Sequence, residues 1–103
     1  MKQIIKGKRY DTEKATQLAK WHNGFNLADP KRCEEKLYGT KNGAFFIHGV
    51  GGAMSRWSSR VGNTTGGGEG IEVLTKDEAM NWLEEKGLTA ELEEHFGDSI
   101  QDA

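Results

Sequence analysis

The chain has 103 residues, 35% of them hydrophobic and 29% charged, which is one domain's worth of chain and enough for a modest core. A single cysteine, Cys33, excludes an internal disulfide framework, and no apolar run approaches the roughly 20 residues of a membrane-spanning helix. The net charge of −2 hides a split: residues 1–66 carry 12 Lys and Arg against 5 Asp and Glu, whereas residues 67–103 carry 2 Lys against 11 Asp and Glu.

Residues 3–10 read as one short extended segment, with Gly7 as a bulge. Asp11 or Thr12 then caps a helix, because Ala15, Leu18, Ala19 and His22 fall at i, i+3, i+4 and i+7. Asn23-Gly24 stops it. Residues 25–33 are irregular, since Pro30 bars a helix across Asp29. Residues 37–40 and 44–48 are two strands, and Lys41-Asn42-Gly43 between them is a hairpin signal. Gly49-Val50-Gly51-Gly52 ends the second strand, and Ala53 to Arg60 form a helical turn. Five glycines within residues 61–70 predict a flexible loop over about 58–70, running into a strand at 70–74. Thr75-Lys76-Asp77-Glu78 fits a capping box. The helix it opens covers 76–86, buries Ala79, Met80 and Leu83, and stops at Gly87. Leu88 and Thr89 open a second short helix to about Phe96, with Leu92 and Phe96 inward, Gly97 ends it, and residues 98–103 fray. The order β-α-β-β-β-α-α predicts one α+β domain over 1–103: a small antiparallel sheet with helices packed on one face.

Chemistry-bearing motifs are sparse. Gly49-Val50-Gly51-Gly52 begins like a dinucleotide fingerprint, but Ala53-Met54 break it, and no Gly-Lys-Ser/Thr occurs. This stretch therefore reads as structural, although the run through Arg56 and Trp57 has residue types that can anchor a partner, with Arg60 beside them. Cys33, Ser55, Ser58 and Ser59 are candidate nucleophiles, and His22, His48 and His95 are candidate bases. No spacing pairs them, so no catalysis is expected. The same scatter offers no Cys-x-x-Cys or His-x-x-x-His ligand set, so neither metal nor other cofactor is expected.

The charge split leaves two readings. The basic residues Lys2, Lys6, Lys8, Arg9, Lys14, Lys20, Lys31, Lys36, Lys41, Arg56 and Arg60, interleaved with aromatics, suit a nucleic-acid module, but the overall acidic balance opposes it. In the acidic part, Asp77 and Glu84, and likewise Glu78 and Glu85, lie seven residues apart and share a helix face. Glu91, Glu93, Glu94 and Asp98 continue the charge. Such a ridge presents carboxylates as a duplex presents phosphates, and it attracts Lys/Arg-lined channels. A solvated amphipathic helix is the plain alternative. The opening Met1-Lys2-Gln3-Ile4-Ile5-Lys6 has neither a long apolar stretch nor a cleavage site, so the expected location is the cytoplasm.

Several segments together resemble a family of small proteins borne on bacterial plasmids and phages: Lys-Gly-Lys-Arg-Tyr-Asp-Thr (6–12), Glu-Lys-Leu-Tyr-Gly-Thr-Lys-Asn-Gly (35–43), His-Gly-Val-Gly-Gly-Ala-Met-Ser-Arg-Trp (48–57), Gly-Gly-Glu (67–69) and Leu-Thr-Lys-Asp-Glu-Ala-Met-Asn-Trp-Leu (74–83). Val50 departs from the family, which has an acidic residue there. Small proteins of this kind include anti-CRISPR inhibitors, some of which imitate DNA with acidic surfaces. The resemblance therefore implies a non-enzymatic inhibitor that binds a host CRISPR effector through Asp77, Glu78, Glu84, Glu85, Glu91, Glu93 and Glu94. It implies no direct nucleic-acid contact and no membrane partner, with Arg56, Trp57 and Arg60 as the second candidate surface.

Overall fold

The computed structural model describes residues 1–103. Lys6 and Gly7 both take positive φ, 50° and 79°, the pairing that a two-residue hairpin turn requires. The first segment therefore folds back on itself: β1 (Lys2–Ile5) and β2 (Lys8–Asp11) pair antiparallel with Ile5 opposite Lys8. Gly7 is a turn residue and not a bulge within one strand.

The helix expected after Thr12 is a strand, β3 (Thr16–His22). Its pairing with β4 (Cys33–Gly39) slips between Gln17 and Ala19, so Leu18 is an extra residue. A bulge of this kind sets two residues against one on the partner strand. Leu18 and Ala19 both pack into the core that Trp21 also borders. The bulge thus produces an i, i+1, i+3 apolar set that imitates helical spacing.

The Asn42-Gly43 hairpin forms as expected, joining β4 to β5 (Phe45–Gly51). Gly43 alone has positive φ, 80°, and its N–H donates to the Thr40 carbonyl at 3.1 Å. Residues 53–58 are turns rather than helix. The glycine-rich stretch holds a second small hairpin, β6 (Ser59–Val61) with β7 (Thr64–Gly66), in place of an irregular loop. β8 (Gly68–Leu74) then joins the main sheet, whose order is β3-β4-β5-β8, all antiparallel.

Two helices follow, α1 (Lys76–Glu85) and α2 (Thr89–Phe96), with a short 3-10 turn over Gly97–Ser99. The capping box is present in both directions: the Glu78 N–H donates to Thr75 Oγ1 at 3.1 Å, and the Thr75 N–H donates to Glu78 Oε1 at 2.8 Å. The fold is α+β with antiparallel sheets and the helices on one sheet face, but the order is eight strands and then two helices. The expected order β-α-β-β-β-α-α is corrected accordingly.

Strand alternation divides the core into two layers. On one face Ala19, Leu37 and Ile47 meet Ala79, Trp82, Leu83 and Phe96 from the helices. Trp82 takes the buried place expected of Met80, which borders the cluster. On the other face Tyr38, Phe46 and Ile71 meet Tyr10 from the β1–β2 hairpin. There Phe46 stacks on Tyr38 at 5.1 Å and meets Tyr10 edge-on at 5.6 Å. Phe46, Leu37 and Ile47 have no exposed area, and burying each contributes about 1.5–3 kcal/mol. The charge split thus becomes spatial: the lysine-rich hairpin covers one face of the sheet, and the acidic helices cover the other.

Candidate functional site

Glu35 is the buried polar residue at the centre of the molecule, 2% exposed. Its position on β4 follows from strand period two: Cys33, Glu35 and Leu37 share the helix-side face. Trp82 Nε1 of α1 donates to Glu35 Oε1 at 2.8 Å. Trp57 Nε1 donates to Oε2 at 2.8 Å, and Arg56 Nε lies 2.7 Å from the same oxygen. The Cys33 thiol completes the set at 3.6 Å. Burial pushes the Glu35 carboxyl up, but the two indole N–H groups and the Arg56 and Lys86 cations more than offset it. The carboxyl is thereby held below its ordinary value. The Cys33 thiol is pushed up by burial and by the Glu35 carboxylate beside it, which makes it a poor nucleophile.

Glycines make room for this knot. Glu35, Gly49 and Gly70 lie in one cross-strand row, and Cys33, Gly51 and Gly68 in the next. A Cβ at Gly49 would overlap the Trp57 indole, and one at Gly70 would come within 3.2 Å of it. A Cβ at Gly51 would overlap Ser55 in the same way. The glycines therefore let the 52–58 segment lie flat on the sheet.

Of the second candidate set, Trp57 is half-buried and committed to Glu35. Arg56 remains half-exposed, reaches Glu72 at 3.4 Å and stacks 4.5 Å from the Trp57 ring centroid. Arg60 stands apart on β6, donating to the Gly62 carbonyl at 3.3 Å. The geometry therefore divides these three residues between a structural knot and a separate hairpin. The imidazoles are also dispersed: His48 Nε2 lies 2.8 Å from Glu69 Oε2, His95 Nε2 lies 3.1 Å from the Leu18 carbonyl, and His22 Nδ1 accepts from the Gly24 N–H. No group of three or more His, Cys, Asp or Glu is placed to hold a metal ion, and no helix is long and apolar enough to cross a membrane.

The acidic candidates lie on the helical layer. Asp77, Glu78, Glu84, Glu85, Glu93 and Glu94 are exposed, and Glu91 is half-buried. Glu78 is occupied by the capping box, so its first duty is to the helix. Asp77 and Glu78 sit in the first turn of α1, where carboxylates complement the helix dipole. Glu84 and Glu85 close α1, with no basic residue in that turn, and Glu93 and Glu94 fall in the last turn of α2. There they oppose the dipole. Of these four, only Glu94 has an ion-pair partner, His95 at 3.8 Å; no Lys or Arg of the basic half reaches any of them. Glu85 accepts one hydrogen bond, from Asn81 Nδ2 at 3.3 Å.

The sequence pointed to the acidic ridge through its charge run but passed over Glu35. The available signal was an acidic residue in phase with Leu37 on a strand. Its partners, 22 and 47 residues away, left no local pattern. Scans against family models, curated proteins and solved structures returned no match for this chain.

Proposed function

We propose that the protein is a non-enzymatic inhibitor that docks the carboxylates of α1 and α2 onto the basic nucleic-acid channel of a host complex, a CRISPR effector in the first instance. The observation that carries this reading is the position of Glu84, Glu85, Glu93 and Glu94. A carboxylate in the last turn of a helix costs about 0.3–1 kcal/mol against the dipole, and none of these four has a Lys or Arg ion-pair partner within 4.0 Å, although Lys86 caps α1. Stability alone favours Lys or Arg there. A surface used to meet cations accounts for the choice.

The layering supports the same reading. The basic hairpin lies beyond the sheet from the helices, at two layer spacings of roughly 10 Å each. That exceeds the Debye length of about 8 Å at physiological salt, so charges on the two exposed faces are largely screened from each other through solvent. An approaching partner meets a negative surface that steers a Lys/Arg-lined channel toward it. The resemblance of residues 6–12, 35–43, 48–57, 67–69 and 74–83 to small proteins of mobile elements supports the choice of a CRISPR effector among such complexes.

The test is affinity capture from a CRISPR-bearing host, with the partner identified by mass spectrometry. The unaltered protein is expected to retain a nucleic-acid-handling protein that the combined variant Glu84→Gln, Glu85→Gln, Glu93→Gln, Glu94→Gln releases. Equal retention by both would remove the acidic layer from the interface.

A further inference from the structure

A cleft of about 420 Å³ opens on the basic side of the molecule, lined by Arg9, Asp11, Lys14, Ala15, Thr40 and Lys41. It lies apart from the acidic helices and involves none of the residues assigned above to partner docking. We propose that this cleft binds a phosphate-bearing ligand, recognised through its phosphate group.

Three observations converge on this. First, the cleft brings together three cations against one carboxylate, and none of Arg9, Lys14 and Lys41 has an ion-pair partner within 4.0 Å. Converging like charges repel, and a bound dianion reverses the sign of that term. Secondly, the walls are braced. The Asp11 carbonyl accepts from the N–H groups of Lys14 and Ala15 at 3.2 and 3.1 Å, and Asp11 Oδ1 accepts from the Glu13 N–H at 2.9 Å. In the second turn, the N–H of Thr40 donates to the Ala44 carbonyl at 2.9 Å, and Thr40 Oγ1 accepts from the Ala44 N–H at 3.0 Å. Two hydrogen-bonded turns thus fix the backbone next to Lys14 and Lys41, and Arg9 on β2 completes the cationic lining.

Thirdly, the lining selects the ligand class. Ala15 is its only apolar residue, and no aromatic ring is present on which a base or sugar ring can stack. What remains is a guanidinium fork suited to two phosphate oxygens, two ammonium point charges and a hydroxyl. The ligand is therefore read by charge and by oxygen geometry. A terminal phosphate, an internal phosphodiester and free inorganic phosphate share that chemistry.

The experiment is an amide-resolved NMR titration of the whole protein with four probes: inorganic phosphate, pyrophosphate, a short single-stranded oligonucleotide, and the same strand carrying a 5′-phosphate. Shifts are expected to concentrate at residues 9–15 and 40–44. The triple variant Arg9→Gln, Lys14→Gln, Lys41→Gln is expected to weaken the binding about tenfold or more, while the control Lys31→Gln, Lys76→Gln changes it little. A response to the 5′-phosphorylated strand alone identifies a terminal phosphate, equal response to both strands identifies the diester backbone, and response to the inorganic ions alone identifies free phosphate. No response to any probe at millimolar concentration would overturn the proposal. So would shifts spread evenly over all basic residues, or binding that the triple variant retains while its spectrum remains folded.

Discussion

The molecule uses glutamate in two opposite ways. Glu35 is buried and receives two indole N–H groups and a guanidinium, all within 2.8 Å. Glu84, Glu85, Glu93 and Glu94 are exposed, oppose the dipole of the helix that carries them, and meet no Lys or Arg. The first arrangement ties β4, the 52–58 segment and α1 together. The second makes only local contacts, Glu85 with Asn81 and Glu94 with His95, and ties no elements together. The same residue type thus serves as a buried tie in one place and as exposed surface charge in the other.

The largest expected effect breaks the buried member. Glu35→Ala leaves Trp57 Nε1 and Trp82 Nε1 without their acceptor and Arg56 with Glu72 alone. Leaving a buried donor unsatisfied costs about 1–3 kcal/mol, and two such indoles are a large part of the roughly 5–15 kcal/mol that holds a domain together. Urea denaturation is expected to show that loss, with tryptophan fluorescence reporting the release of both indoles. A midpoint within experimental error of the unaltered protein would mean that the knot is not a stabilising element.

Acid sharpens the same point. The folded carboxyl of Glu35 lies below the 4.5 of an ordinary glutamate. A depressed carboxylate contributes stability that is complete above the unfolded value and is lost as pH falls through the folded one. Stability measured from pH 7 downward is therefore expected to fall below about pH 4.5, with a steeper slope for the unaltered protein than for Glu35→Gln. Identical slopes would contradict the role given to Glu35.

Gly49→Ala addresses the floor beneath the knot. The added methyl overlaps the Trp57 indole, and overpacking of this kind costs about 1–3 kcal/mol. Gly66→Ala is the control, because a Cβ there meets nothing within 4 Å. Calorimetric melting temperatures are expected to drop for the first and hold nearly constant for the second.

The smallest expected change in stability has the opposite sign. Glu84→Lys and Glu85→Lys turn an unfavourable dipole interaction into a favourable one, and each is expected to stabilise by about 0.3–1 kcal/mol. A destabilised variant would show that these carboxylates serve the fold, and the contrast with Glu35 would collapse.

What the sequence disclosed follows from how local each signal is. The Thr75–Glu78 capping box and the Asn42-Gly43 turn are complete within four residues, and both are present in the structure. The expected helix over residues 15–22 failed because the bulge at Leu18 sets neighbours side by side on one face, which yields near-helical spacing from extended backbone. Gly7 was read for its weakness in a strand, whereas its positive φ makes the turn. Gly49 and Gly51 read as the end of a strand and Gly68 and Gly70 as loop, whereas all four serve close approach by the 55–59 segment. Of the candidate interaction residues, the acidic set was visible as a charge run. The inward commitment of Arg56 and Trp57 was not, because it depends on a glutamate over 20 residues away.

We propose that the four carboxylates ending α1 and α2 contact a basic nucleic-acid channel. The direct measurement is competition: a guide-loaded CRISPR effector on labelled target DNA, titrated with the unaltered protein and with Glu84→Gln, Glu85→Gln, Glu93→Gln, Glu94→Gln, across a panel of effector types. The unaltered protein is expected to displace the DNA from at least one effector, less effectively as salt rises. The neutralised variant, folded and no less stable, is expected to leave the DNA bound. Equal displacement by both proteins would contradict the claim and move the interface to the segment carrying Arg56 and Arg60.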